Sequence, residues 1–147
     1  MAHARTIIRT KFIELLRGNT VAGDKVFDSR IYNIEQHSLP AIIVFSEHEE
    51  ITTETISYPR TQNRMLRVNV ECYIKNKDHL STKIDDLTLS VECLLQASIN
   101  LEDTCKDCRL ETIDINFNID GEKPVAVASL IFTVFIQTKE NNPAIII

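Results

Sequence analysis

Hydrophobic spacing changes several times along the chain, and each change marks an element. Through residues 4–16, Ile8, Phe12, Leu15 and Leu16 recur at helical intervals while Arg5, Arg9 and Lys11 fall on other faces; Gly18 follows as a stop signal. Residues 26–32 are short and β-prone. Pro40 then introduces Ala41-Ile-Ile-Val-Phe45, a continuous apolar run of the kind that fills a strand covered on both sides. Residues 65–76 alternate strictly, with Leu66, Val68, Val70, Cys72 and Ile74 on one face and Arg67, Asn69, Glu71, Tyr73 and Lys75 on the other. Leu80, Ile84, Leu87, Val91, Leu94 and Leu95 form a single stripe on a second helix, with Asp78 as its expected N-cap. Residues 109–119 alternate again, placing Ile113, Ile115, Phe117 and Ile119 together. Asp120-Gly121 predicts a tight connection to the apolar residues 125–137, and the two strands read as a hairpin.

Two segments break this rhythm. Residues 46–64 are polar, Thr-rich and interrupted by Pro59, too poor in apolar side chains for a core of their own; they predict a long loop or a protruding hairpin. Residues 139–147 run from polar positions through Pro143 into Ile145, Ile146 and Ile147, either a frayed tail or a segment that docks on another subunit. No repeat or linker divides the chain. The pattern predicts a single α+β domain: a mixed, mostly antiparallel sheet with two helices packed on one face.

Composition narrows the function. A chain of 147 residues with 44% hydrophobic and 25% charged positions is expected to fold as one soluble domain, and no segment approaches the ~20 apolar residues of a membrane helix. Sixteen Lys and Arg against 21 Asp and Glu give a net charge of -5, which argues against a large basic field for nucleic acid. The cationic N-terminal stretch lacks the apolar core and cleavage site of a targeting peptide, so it reads as a folded helix. Without a signal peptide, Cys72, Cys93, Cys105 and Cys108 are expected to be reduced thiols in a cytosol.

Candidate chemistry is sparse. Cys105-Lys-Asp-Cys108 has metal or redox spacing, but a zinc site needs further ligands, and His3, His37, His48 and His79 are scattered. A redox cysteine needs a helix N-terminus, and this pair precedes a strand, so two thiols in a turn is the simpler reading. Asp28 and Arg30, two apart on a strand, point to one face and form an ion pair or an interface more readily than an acid-base site. Glu47, His48, Glu49 and Glu50 lie on an extended segment whose side chains alternate, which suits a solvated loop better than a metal cluster. Asp85 and Asp86 belong to the second helix's solvent face. With glycine only at 18, 23 and 121, a phosphate-cradling loop is excluded. The residues present point to no enzyme, no cofactor and no metal.

The succession "VFDSRI", "LPAIIVFSEHEE", "RMLRVNVECYIK", a Leu-spaced helix ending "VECLLQ", and "AVASLIFTVFIQT" resembles the tail terminator proteins of long-tailed bacteriophages and prophages, the group containing lambda-type minor tail protein U. The resemblance runs from about residue 6 to residue 138. It implies a non-enzymatic virion protein, assembled in a bacterial cytoplasm, that closes the head-proximal end of a tail as a homo-oligomeric ring, usually a hexamer. Its implied partners are copies of itself, the major tail tube protein and a head completion or connector protein, while DNA passes through without specific binding; no membrane is involved. A head-side stopper or adaptor is the alternative within the same structural class, and a small redox or metal protein using Cys105 and Cys108 the alternative outside it. Candidate contacts with neighbouring subunits or the tube are Asp28, Arg30, Glu47, Glu49, Glu50, Arg60, Arg64, Ile145, Ile146 and Ile147. The acidic balance suits a lumen crossed by DNA, because a positive wall would hold phosphates.

Overall fold

The computed structural model describes residues 1–28, 39–118 and 124–147; Arg30, His37, Ile119, Asp120 and Gly121 lie outside them. Helix α1 (Ala4–Leu16) buries Ile8, Phe12 and Leu16 of the stripe read from the sequence, and Ala4 besides, while Leu15 is only partly buried. It ends where Arg17 departs from helical geometry and Gly18 adopts φ +77°, a left-handed conformation that costs glycine little. Strand β1 (Val26–Phe27) opens the 26–32 run, with Asp28 just beyond it and the rest of that run outside the described residues.

Strand β2 (Ala41–Thr53) begins with five buried residues, as the continuous apolar run predicted, and then becomes polar. It pairs antiparallel with β3 (Thr61–Lys75), so the polar excursion at residues 46–64 is the far part of a long hairpin. Strand β5 (Val125–Lys139) accompanies β3 from Lys75 to Thr61, extending the sheet to that end. Strand β4 (Asp107–Asn118) pairs with β5 opposite β3. Strand β6 (Asn142–Ile146) returns on β5 beyond the start of β4, so residues 142–146 belong to this chain's own sheet. The order is β1-β2-β3-β5-β4, with β1 parallel to β2 and the remaining pairs antiparallel.

Helix α2 (Leu80–Leu95) buries Ile84, Leu87, Thr88, Val91 and Leu95. The expected cap at Asp78 is not used. His79 occupies the N-cap position at φ 57°, and no side chain there accepts a helix N–H. Both helices cover one sheet face, where Ile42, Val44, Leu66, Val68, Val70, Cys72, Ala128, Leu130, Phe132 and Val134 complete the core. The Phe12 and Phe132 rings meet edge to face, their centroids 5.6 Å apart, joining α1 to the middle of the sheet. Between α2 and β4 the residues Leu101, Glu102 and Asp103 all take positive φ, 51° to 67°. This run is held by Asn100, whose Nδ2 donates to Asp103 Oδ1 (2.9 Å) and whose Oδ1 accepts from Asp103 N (3.0 Å).

Candidate assembly surfaces

Helix α1 runs antiparallel to β2, and Arg5 and Arg9 step along that strand, while Arg17, just past the helix, reaches β1 and Lys11 reaches Glu102. Arg5 Nη1 donates to Glu49 Oε1 (3.1 Å), Arg9 Nη1 to Ser46 Oγ (3.1 Å), and Arg17 Nη2 to Val26 O (2.7 Å). Arg5 and Arg9, which lie off the buried stripe, therefore tie α1 to the polar half of the hairpin.

At the centre of this tie lies an internal ion pair. Arg64 is 6% exposed, and its Nη1 lies 2.7 Å from Glu49 Oε1, itself shielded. The rest of the guanidinium is satisfied as well: Nε donates to Thr138 Oγ1 (2.8 Å) and Nη2 to Gln62 Oε1 (3.0 Å). Register explains the convergence, because Glu49 opposes Leu66, while Arg64 opposes Ile136 and Gln62 opposes Thr138. All of them face the helix side. Glu49 and Arg64 thus set the pose of the hairpin from within the chain and present little surface to a partner.

The other candidate positions are more open. Arg60 and Glu140 are joined at 3.2 Å between side chains, and Glu140 Oε1 also accepts from Arg60 N, tying the start of β3 to the β5–β6 turn. Glu47 is exposed at the β2 irregularity between Ser46 and His48. Glu50 is exposed too, with its Oε1 3.5 Å from His48 Nε2. Asp28 borders a groove of about 700 Å³ between α1 and β1. Ile146 packs against the core, while Ile145 on β6 and Ile147 just beyond it remain about half exposed.

Two apolar surfaces had not been singled out in the sequence. The hairpin tip displays Ile56, 94% exposed, and Tyr58, 73% exposed. On β4, Ile113, Ile115 and Phe117 do lie on the helix-side face, opposite Leu130, Ala128 and Ala126. The helices leave them 37%, 40% and 49% exposed. An alternating strand announces an apolar face, and the exposure reveals that nothing within the described residues covers it.

The cysteine pair is built into the fold. Cys105 and Cys108 are buried, Cys105 Sγ donates to Asp107 O (3.4 Å), and Gln96 Nε2 donates to Cys108 O (3.1 Å). Burial pushes the Cys105 thiol up to about 11 and the Cys108 thiol to about 12; Cys72 rises to about 12 for the same reason. Roughly one such thiol in ten thousand, or fewer, is ionised at pH 7. A thiol-reactive dye should therefore label Cys93 alone in the native protein, since Cys93 is the exposed one, and all four after denaturation. Rapid native labelling of two or more sites would contradict this assignment. Among the described residues no group of three His, Cys, Asp or Glu side chains converges on a metal position.

One titration affects the same region. His3 caps α1 by accepting from Arg5 N through Nδ1 (3.1 Å), and its pKa lies below 6.5 because of desolvation first, then the Arg5 and Arg64 charges. A histidine with a lowered folded pKa binds fewer protons folded than unfolded in that interval, so its stabilisation is complete above 6.5 and fades as pH falls through the folded pKa. His3→Asn keeps a capping acceptor and removes the titration. In thermal melts between pH 7 and 5 it should lose less stability than the parent; parallel losses would remove His3 from the account.

A family model described as phage minor tail protein U matches residues 3–136. Among solved structures, a chain from the virion of a native gene transfer agent particle is similar at a TM-score of 0.47 and 10% identity, over 93% of this chain and 100% of that one. No curated protein matches.

Proposed function

The chain belongs to the phage minor tail protein U family, a family of tail structural proteins, and from that membership we propose that it is the tail terminator. In this reading it works by assembly and not by catalysis. Copies form a ring, a hexamer by resemblance, on the finished end of the tail tube. One face of the ring accepts the tube and the other refuses a further tube ring, leaving a surface for the head connector.

The observation that carries the reading is the extent of the family match, residues 3–136, which includes both helices, strands β1 to β4 and most of β5. The geometry supports it by offering contact surfaces. The hairpin tip is exposed and apolar at Ile56 and Tyr58, and braced by the Arg5–Glu49–Arg64 contacts and by Arg60–Glu140. An exposed aromatic and aliphatic pair on a braced arm suits a contact with another protein, because such anchors carry most interface energy while ordering few side chains. We assign the tip to the tube.

The test is end-binding to purified tail tubes, with purified portal complexes as the comparison. The protein should decorate one end of the tubes and leave portals bare. Ile56→Ser with Tyr58→Ser should weaken end-binding by about 30-fold or more, the scale of a lost hot spot of ~2 kcal/mol, with the melting temperature nearly unchanged. Portal binding in place of tube binding would move the protein to the head side of the joint. Undiminished tube binding by the tip variant would return the tip to solvent.

A further inference from the structure

The loop that carries Ile56 and Tyr58 has little of its own to fix its direction. Between Thr53, the last residue of β2, and Thr61, the first of β3, every residue but Pro59 is exposed, so burial does not set where the two side chains point. The loop is closed across its neck. Thr55 Oγ1 accepts from Thr61 N (2.8 Å), and Glu54 N donates to Thr61 O (2.8 Å). That closure fixes the ends of the loop to each other and leaves its aim relative to the sheet to other contacts.

The end of β5 supplies those contacts, where three side chains each take hold of a neck residue. Gln137 Nε2 donates to Glu54 Oε2 and to Asn63 Oδ1, both at 2.7 Å. Lys139 Nζ donates to Oγ1 of Thr61 (2.9 Å), the residue that opposes it in the ladder. Glu140, just past the strand, accepts from Arg60 N at Oε1 (3.1 Å) and from Arg60 Nη1 at Oε2 (3.2 Å), and its own N–H donates to Arg60 O (2.9 Å). Alternation puts Gln137 and Lys139 on the sheet face away from the helices, whereas Thr138 holds Arg64 on the helix face. One strand end thus grips the hairpin from both faces. Residues 137, 139 and 140 lie beyond the family match, which ends at residue 136, so family membership does not imply the clamp.

Resting on the assignment of the tip to the tube, we propose that Gln137, Lys139 and Glu140 are positioning residues for that contact: they hold the tip loop in its binding pose before the partner arrives. They act through the loop and need not touch the tube. A loop already held loses less conformational entropy on binding than a free one, so releasing it weakens the contact without removing any group that makes it. The effect on the fold is small by comparison. Glu140 is 18% exposed at its side chain and Arg60 49%, and ion pairs this open add little to global stability.

Two readouts on the full chain test this together: NMR backbone order parameters at residues 55–58 and end-binding to purified tail tubes. In the wild type the loop should be as ordered as the strands, about 0.85; in Gln137→Ala with Glu140→Ala it should fall below about 0.6. The same double variant should bind tube ends about tenfold more weakly, with a melting temperature close to the parent's. Glu140→Gln keeps an acceptor for Arg60 N and should keep most of the order and most of the binding. A wild-type loop that is already mobile, or a double variant with unchanged order or undiminished end-binding, would overturn the positioning role. So would a double variant that no longer melts cooperatively, since the clamp would then hold the fold and not the aim. In each of these cases a loss of end-binding by Ile56→Ser with Tyr58→Ser keeps the tip assignment standing. A wild type that leaves tube ends bare would overturn both.

Discussion

Arg64→Ala should be among the most destabilising single substitutions at a polar position, by roughly 3–5 kcal/mol, because it strands the shielded Glu49 carboxylate in a site built for a guanidinium. The side chain removed also satisfies Thr138 and Gln62, so three polar groups lose a partner together. Arg5 still reaches Glu49 at 3.1 Å, but Arg5 is itself half in solvent and cannot replace the buried contact. Lysine is a poor substitute, since one ammonium cannot reproduce the guanidinium's fixed fork of donors to Glu49, Thr138 and Gln62. For a domain of this size the loss corresponds to a fall of about 10 °C in melting temperature. Glu49→Gln combined with Arg64→Met removes both charges and should recover most of the loss. Thermal melts of the single and double variants decide the matter: a single substitution costing under about 1 kcal/mol would mean the pair is a bystander.

A loss of similar size, about 3–5 kcal/mol, is expected for Phe132→Ala, for an unrelated reason. Phe132 is fully buried, its ring abuts Phe12, and its strand lies centrally between β3 and β4. Alanine leaves a cavity beneath α1 that neither sheet nor helix can collapse to fill, and it removes the edge-to-face contact as well. Phe132→Leu should cost far less, since most of the volume remains. Denaturant titration separates the cases, and a midpoint for Phe132→Ala within error of the parent would show that α1 does not depend on this contact. The two predictions probe different layers: Phe132 holds α1 against the core, and Arg64 holds the polar hairpin against α1.

Much of this was legible in the sequence, and the parts that were not have physical reasons. Helical spacing at Ile8, Phe12 and Leu16, alternation from Leu66 to Ile74 and the continuous run from Ala41 to Phe45 were sufficient because each is a direct imprint of burial. The hairpin at residues 46–64 was ambiguous, because its strands are polar and owe their structure to the ladder with β5 more than to their own burial. The cap at Asp78 failed since the chain enters α2 through a left-handed His79, which takes the N-cap position instead. Glu49 and Arg64 were noted as charges, yet their burial depends on a register between strands that a single segment does not encode.

Coverage was the hardest to read. Ile113, Ile115 and Phe117 alternate as core residues do, and nothing local tells them from Leu66 or Val68. A count does help: helices are roughly 10 Å across and strands about 4.8 Å apart, so two helices shield about four strands and an outer strand of a five-strand path is left bare. Had the elements been counted that way, an uncovered apolar edge could have been anticipated, and with it a surface for assembly.

Under the function proposed above, this tail protein ends tube growth by capping. The most direct measurement is the length distribution of tubes polymerised from purified tail tube protein, imaged by electron microscopy with and without this chain. Adding it is expected to arrest growth, with shorter tubes that bear a ring of density at one end. Tubes of unchanged length with bare ends would contradict it.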